Sequence, residues 1–275
     1  MHRSHCTETG GADPRDRPGT SEPAREVRIP CHGVELDADY LPSCEGRGVV
    51  VFAHGSASGR QSPRNRLVAS VLAAEGFGAL LLDLLEPREA RIDGATGAFR
   101  FDLPLLTRRL VAATDWLVRQ PDALDHSVGY FGASTGGAVA MRAAVLRPAL
   151  VDALVLRGAR TDLADAEAPA VGSPTLLLVG GEDPDVRRFN EETYRRLRCE
   201  KELVVVPGAT HLFEEPGALE EVADRAAVWF ARHLVPVERK ARTAPGAGSS
   251  TARDPHHIAG RLPSPHASRR STSLA

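Results

Sequence analysis

The chain has 275 residues, of which 42% are apolar and 25% charged, with a formal net charge of −2. This is an ordinary globular composition, and the length suits one large domain or two small ones. No apolar run approaches the ~18 residues of a membrane helix, and the polar residues 1–25 lack the apolar core of a secretory signal. The sequence therefore predicts a cytoplasmic protein with no membrane contact.

The two ends of the chain differ in composition from its middle. Residues 1–25 and 236–275 are rich in Pro, Ser, Thr, Arg and Gly. Their few apolar residues cannot offset an ordering entropy of ~1–2 kcal/mol per residue, so both are predicted to be disordered tails. The C-terminal tail carries a net charge of +5, which leaves −7 on the rest. An acidic globule is a poor nucleic-acid binder, and no nucleic-acid partner is expected.

Between the tails, residues 26–235 alternate short apolar runs with helical patterns. Two leading strands flank a turn at 31–33, and a long loop is predicted between the strand 78–82 and the helix 104–120. The other predicted strands are 48–53, 128–132, 153–156, 175–179 and 202–206, and the other helices are 62–75, 135–146, 186–197 and 219–234. This alternation predicts one α/β domain, a mostly parallel sheet with helices on both faces.

The first chemical motif is a Gly-x-Ser-x-Gly pentapeptide, Gly132-Ala133-Ser134-Thr135-Gly136, between an apolar strand and a helix of small residues. A serine on such a strand-to-helix turn adopts a strained backbone, and small residues on either side prevent the strand and helix from colliding. This spacing indicates a nucleophilic serine, Ser134. A glycine-rich nucleotide-binding turn is the alternative, because Gly132 and Gly136 could also admit a pyrophosphate.

A serine nucleophile needs a base, and the base needs an acid. Asp183 follows the predicted strand 175–179, and His211 follows the strand 202–206. The carboxyl ends of parallel strands meet at one edge of a sheet, so Ser134, Asp183 and His211 are predicted to converge there. Asp185 is an alternative acid, but it falls in the first turn of a helix, where a charge that favours the helix dipole is the simpler explanation.

An oxyanion hole requires two backbone N–H donors. One is the amide of Thr135, which follows the nucleophile. The strand 48–53 runs into His54-Gly55-Ser56, a turn that can supply the second donor from Ser56. The order of serine, acid and histidine along the chain agrees with an α/β-hydrolase.

These residues resemble the dienelactone hydrolase-like α/β-hydrolases over 26–235. The stretches HGSASGRQSPRNR from His54, GYFGASTGG from Gly129 and VPGATHLFEEPGALEEV from Val206 are similar to those of a bacterial subgroup with a serine nucleophile. The resemblance implies the α/β-hydrolase fold and hydrolytic chemistry, and acyl transfer by the candidate triad is expected to require no cofactor. The namesake enzymes use a cysteine nucleophile and a glutamate in the oxyanion loop, so their substrate does not carry over to Ser134 and His54.

Several residues are candidates for substrate binding rather than chemistry. His54, Arg60 and Arg157 lie on loops at the predicted ligand edge, where guanidinium groups could bind an anionic substrate. The alternatives are that the arginines face water and that His54 orders its loop. The four cysteines show no C-x-x-C spacing, and no metal site is predicted.

The sequence predicts a serine hydrolase that cleaves a small ester, lactone or thioester, with a small-molecule acyl substrate as its partner. About sixteen residues separate Arg157 from Pro174, too few for a helical lid, so a shallow pocket with minimal or no lid is expected. Two alternatives remain: a non-catalytic binding protein on a hydrolase fold, and an NAD(P)-dependent oxidoreductase. Oligomeric state and the role of the basic tail are left open.

Overall fold

The computed structural model of the chain describes residues 24–44, 46–56 and 58–235. The strands are β1 (Arg25–Cys31), β2 (Val34–Leu41), β3 (Val49–Ala53), β4 (Gly78–Leu82), β5 (Val128–Ala133), β6 (Val151–Arg157), β7 (Thr175–Gly180) and β8 (Lys201–Val206). The helices are α1 (Pro63–Ala74), α2 (Pro87–Thr96), α3 (Leu103–Leu117), α4 (Thr135–Leu146), α5 (Pro184–Arg196) and α6 (Ala218–His233). Among these helices, none combines the length and apolar content that crossing a bilayer requires.

The eight strands form one sheet in the order β1-β2-β4-β3-β5-β6-β7-β8. The pairs from β4 to β8 are all parallel, whereas β1 and β2 run antiparallel to their neighbours. This confirms the predicted mostly parallel sheet. Because these strands are parallel, β3, β5, β7 and β8 all end at the same edge of the sheet, where open α/β sheets bind ligands.

Helices cover both faces of the sheet, as predicted. In β3, Val49 and Val51 pack into one buried cluster together with α3 and α4, while Val50 and Phe52 pack into the other with α1 and α6. Alternate strand residues point to opposite faces, and because both faces are covered, a core strand is apolar throughout. This is why the sequence pattern located the core strands well.

The N-terminal boundary of the fold differs slightly from the prediction. Arg25, which was assigned to the disordered tail, begins β1 opposite Tyr40. Its guanidinium donates to Asp122 at 2.5 Å and lies 4.9 Å from the centre of the Tyr40 ring. Apart from these first residues, the predicted tails 1–25 and 236–275 lie outside the described residues.

The predicted loop between β4 and α3 contains a helix, α2, and this corrects the sequence interpretation. Glu86 and Glu89 form a capping box at its N-terminus, and Gly97 ends it with a left-handed φ of 70°. Within α2 only Asp93 is buried. The helix was missed because it has no apolar stripe, which is the signal that hydrophobic periodicity depends on.

Candidate active site

Ser134 lies at the sharp turn between β5 and α4. Its φ of 51° and ψ of −122° are unusual for a residue other than glycine, and such a backbone costs on the order of 1–3 kcal/mol. Three backbone hydrogen bonds hold it: Ser134 N donates to Arg157 O, and Arg160 N and Gly137 N donate to Ser134 O, each at 3.0 Å. The turn therefore presents a half-buried hydroxyl at the carboxyl edge of the sheet.

The glycines around Ser134 are required by close backbone approach. A Cβ at Gly132 would lie 2.6 Å from the Cα of Gly137, and one at Gly136 would lie 2.0 Å from the carbonyl oxygen of Ala53. Neither contact can relax, because backbone atoms are on both sides. Steric fit between β5, α4 and the end of β3 thus explains the spacing of the motif.

His211 connects Ser134 to Asp183. Its Nδ1 is 2.6 Å from Asp183 Oδ2, and its Nε2 is 3.2 Å from Ser134 Oγ. A carboxylate can only accept, so Nδ1 carries the proton and donates it, which leaves Nε2 as the acceptor for the Ser134 hydroxyl. The three predicted side chains are therefore in contact in the order that proton transfer from Ser134 would need.

Two backbone hydrogen bonds join the loops that carry Asp183 and His211. Gly181 N donates to Val206 O at 2.9 Å, and Glu182 N donates to Ala209 O at 3.0 Å. These bonds continue the β7–β8 ladder past the strand ends, so the two loops leave the sheet side by side. The distance between the carboxylate and the imidazole is thus set by backbone structure.

Asp185, the alternative acid, is not brought to His211. Its side chain is 85% exposed and lies 3.9 Å from Arg188 in the first turn of α5, whereas the side chain of Asp183 is 14% exposed. Its negative charge interacts favourably with the dipole of α5, as is common at a helix N-terminus.

The loop after His211 is braced from both sides. Glu215 accepts from the backbone N–H and the hydroxyl of Thr210, and Phe213 is buried with a φ of 57°. Arg157 donates through Nη1 to Leu212 O at 3.2 Å. These contacts restrain the backbone on both sides of the imidazole.

Arg157 does not occupy the position that its predicted role in substrate binding requires. It is buried, and its guanidinium lies 5.6 Å from the centre of the Phe213 ring, beneath the loop after His211. Burial lowers the pKa of Arg157 to about 10, and its Nε has no hydrogen-bond partner within the part of the chain that the structure describes. The structure therefore places this arginine against the loop backbone.

Arg60 is likewise held by the protein's own carboxylates. It donates through Nη1 to Asp39 at 2.5 Å, and through Nε and its backbone N–H to Asp83 at 3.2 and 2.7 Å. Because its guanidinium already pairs with two carboxylates of the protein, Arg60 is not available to pair with a substrate anion. This differs from the sequence-based expectation. Asp83, which follows β4, thereby holds the loop after β3.

The turn His54–Ser56 lies directly against the nucleophile. A Cβ at Gly55 would be 3.1 Å from the Cβ of Ser134. Thr135 is the first residue of α4, so its N–H has no acceptor within the helix. The turn that carries Ser56 and the first residue of α4 therefore both lie against Ser134, where the predicted oxyanion hole would use their amides.

The side chains of Ser56 and Thr135 extend this arrangement. Their hydroxyls are 2.9 Å apart, and Ser56 Oγ is 3.4 Å from the carbonyl oxygen of Arg100. A carbonyl only accepts, so Ser56 donates to Arg100 O and accepts from the hydroxyl of Thr135. This chain of hydrogen bonds links the oxyanion turn to the α2–α3 connection.

His54 orders the oxyanion turn through both ring nitrogens. Leu84 N donates to His54 Nε2 at 2.9 Å, which makes Nδ1 the protonated nitrogen and the donor to Gly55 O at 2.8 Å. Burial lowers the pKa of His54 below its ordinary value of 6.5, so the ring is neutral at physiological pH. The structure therefore favours loop ordering over the predicted contact with substrate, although the ring does border the cavity described below.

Acidification is expected to destabilise the fold through His54. The unfolded chain binds a proton below about pH 6.5 while folded His54 does not, so the free energy of unfolding decreases as pH falls through that value. We expect the decrease in Tm between about pH 7.5 and about pH 5 to be smaller in His54→Asn than in the parent.

The matched control for this prediction is His32→Asn, at an exposed turn position with a φ of 46° that asparagine tolerates. It should keep the pH dependence of the parent. Scanning calorimetry measures all three proteins, and equal pH slopes in His54→Asn and the parent would contradict the role assigned to burial.

A cavity of about 480 Å³ opens beside Ser56 and Thr135. Its other walls come mainly from the β4–α3 connection, which includes α2. They consist of His54, Gly55, Ser58, Asp83, Leu84, Leu85, Pro87, Ala90, Asp93, Gly94, Arg100 and Leu106. The segment between β6 and β7 forms only two short 3₁₀ turns and supplies no lining residue. The prediction of a shallow pocket left out this wall because it assigned α2 to a loop.

Asp93 and Arg100 are site residues that the sequence interpretation missed. Buried Asp93 accepts from the backbone N–H groups of Phe99 and Arg100 at 2.8 and 2.7 Å, and from Arg100 Nε at 3.1 Å. These bonds fold the end of α2 back and position the Arg100 carbonyl that Ser56 contacts. The only local signal was Gly97, which is typical of a helix C-terminus.

Within residues 24–44, 46–56 and 58–235, no three His, Cys, Asp or Glu side chains converge as ligands of a metal ion.

The chain is similar to proteins of one family. The sequence profile of the dienelactone hydrolase family matches residues 40–234. A crystal structure of a dienelactone hydrolase from Anabaena variabilis has 49% identity and a TM-score of 0.75, over 77% of this chain and 98% of that one. A dienelactone hydrolase-like promiscuous phosphotriesterase from metagenomic libraries has 22% identity and a TM-score of 0.63, over 77% and 98%, and supports the fold alone.

A curated protein of Mycobacterium tuberculosis, provisionally named a phosphoribosyl transferase, is 52% identical over 236 residues. The match includes 85% of this chain and 52% of that protein, so the chain spans about half the length of this relative.

Proposed function

Because the chain belongs to the dienelactone hydrolase family, and is therefore a hydrolase with the α/β-hydrolase fold, we propose that it cleaves a small ester, lactone or thioester through an acyl-enzyme on Ser134. The observation that carries the proposal is the continuous hydrogen-bonded chain from Ser134 through His211 to Asp183. Contact among a serine, a histidine and an aspartate at the ligand-binding edge of the sheet, beside an open cavity, is expected of a catalytic site.

In the first step, Ser134 Oγ attacks the substrate carbonyl carbon while its proton passes to His211 Nε2. The carbonyl oxygen becomes an oxyanion and accepts from the amides of Ser56 and Thr135, each worth ~3 kcal/mol of transition-state stabilisation. Asp183 holds the tautomer with the proton on Nδ1 and stabilises the imidazolium that forms.

In the second half, the tetrahedral intermediate collapses and the leaving group takes the proton from His211 Nε2. Water then attacks the acyl-Ser134 carbonyl, with Nε2 accepting a proton from the water and returning it to Ser134 Oγ. The products are a carboxylic acid and an alcohol or thiol, or one hydroxy acid from a lactone. The protein's own groups supply every proton transfer, so the proposal includes no cofactor.

A fluorophosphonate probe tests the proposal directly, since it phosphonylates a serine only where a base activates the hydroxyl. We expect one covalent adduct, located on Ser134 by peptide mass spectrometry, and parallel hydrolysis of p-nitrophenyl acetate. A folded protein that binds small molecules but never reacts with the probe would instead support the non-catalytic alternative. A saturable change in NADPH fluorescence on titration with the protein would support the oxidoreductase alternative.

A further inference from the structure

We propose that the cavity beside Ser56 and Thr135 binds the acyl part of the substrate, that it selects uncharged acyl chains, and that small residues of α2 set its width. The inference rests on the proposed function, because it assigns a part of the substrate relative to Ser134. At about 480 Å³ the cavity is within the range of about 300–1,000 Å³ that is typical of small-molecule sites.

The first step of the argument is which half of the substrate the cavity takes. The leaving group must lie beside His211 Nε2, because it receives its proton there. Neither Ser134 nor His211 is among the residues that line the cavity, whereas Ser56 and Thr135 are. The cavity therefore lies on the oxyanion side of the nucleophile, away from the leaving group, and it is the acyl chain that can extend into it.

The second step is charge. The lining contains three charged side chains, and each has a partner of opposite charge: Asp83 accepts twice from Arg60, and Asp93 pairs with Arg100 at 3.1 Å. His54 is neutral through burial. A carboxylate entering this lining would lose hydration without gaining an unpaired cation, which is costly.

Apart from three hydroxyl side chains, the remaining lining is apolar and includes Leu84, Leu85, Pro87 and Leu106. Burial of one methylene against such a wall favours binding by about fourfold. An uncharged aliphatic or aromatic acyl group therefore fits the lining better than an acyl group with a terminal carboxylate.

The third step is the wall that sets the width. Pro87, Ala90 and Gly94 follow one another at i, i+3 and i+7 along α2, so they share one face of the helix, and all three line the cavity. A Cβ at Gly94 would meet no atom within 4 Å. The space that an acyl chain would use exists because positions 90 and 94 carry almost no side chain.

The experiment compares Ala90→Leu with Ala95→Leu. Both positions are exposed on α2 and the chemical change is the same, but Ala95 does not line the cavity. The measurement is kcat/KM for p-nitrophenyl esters from acetate to octanoate, which share one leaving group. We expect Ala90→Leu to lower the ratio of the octanoate to the acetate value by at least about tenfold, and Ala95→Leu to leave that ratio as in the parent.

Gly94→Leu is a second variant in the cavity wall, and leucine in place of a helical glycine favours folding. It should shift the acyl-length profile in the same direction as Ala90→Leu. A profile identical to that of Ala95→Leu in both wall variants would overturn the inference. So would a change confined to a series of acetate esters with alcohols of increasing length, because the cavity would then hold the leaving group.

A separate experiment tests whether the cavity selects uncharged acyl chains. The mono-p-nitrophenyl ester of adipic acid has the chain length of the hexanoate and adds a terminal carboxylate. We expect its kcat/KM in the parent protein to be at least about tenfold below that of the hexanoate. Equal values would overturn the selection for uncharged chains.

Failure of this inference is distinguishable from failure of the proposed function. If Ser134→Ala still hydrolyses p-nitrophenyl esters at the parent rate, the nucleophile is wrong and the acyl assignment falls with it. If hydrolysis depends on Ser134 but the two wall variants match Ala95→Leu, only the role of the cavity is overturned.

Discussion

Ser134→Ala should lower kcat for p-nitrophenyl acetate by about 10⁴–10⁶-fold, the loss expected when a serine nucleophile that acts together with its base is removed. The fold should remain intact, because alanine retains the Cβ and the turn is held by the backbone bonds to Arg157 and Arg160. The measurement is steady-state kinetics together with the midpoint of thermal unfolding.

Ser70→Ala is the matched control for this prediction. Ser70 lies exposed on α1, where its hydroxyl donates to the carbonyl of Leu67 in the same helix. Its activity should equal that of the parent. An Ser134→Ala protein that folds and keeps the parent rate would show that the hydrolysis takes place elsewhere.

Asp183→Asn is expected to lower kcat by about 10³–10⁴-fold. The amide that replaces the carboxylate can present N–H to His211 Nδ1, which moves the ring proton to Nε2. Nε2 then donates and no longer accepts the proton of Ser134 Oγ. The uncharged amide also fails to stabilise the imidazolium that forms during attack.

Asp185→Asn is a control of unusual closeness, since it makes the same chemical change two residues away in the same segment. Asp185 is exposed and makes no contact with His211, so its activity should remain at the parent level. Equal losses in the two variants would indicate a general effect on α5, and loss in Asp185→Asn alone would reverse the assignment of the acid.

The three residues of the candidate triad could be predicted from the sequence, each for a physical reason. Ser134 was found because the strand-to-helix turn needs glycine at Gly132 and Gly136, and steric requirements of the backbone leave a mark in the sequence. Asp183 and His211 were found because each follows a parallel strand, and topology alone brings strand ends to one edge.

The positions of the two arginine side chains could not be predicted in the same way. Arg60 and Arg157 lie near the expected edge, yet Arg60 is held by Asp39 and Asp83, and Arg157 is buried beneath the loop after His211. A loop position near the sheet edge does not determine which way a long side chain turns. That depends on carboxylates and carbonyls supplied by distant segments, such as Asp39 from β2.

The core strands in chain order, the strained turn and the candidate triad could be predicted from the amino-acid sequence, because these depend on local periodicity, on steric limits within a few residues and on where parallel strands end. The shape and charge of the cavity, in contrast, depend on how distant segments pack. Its wall is α2, a polar helix without periodic signal, held against the oxyanion turn by Asp93, Arg100 and Ser56. Such contacts join residues that are far apart in the chain. Because they depend on tertiary packing, a local sequence pattern does not predict them.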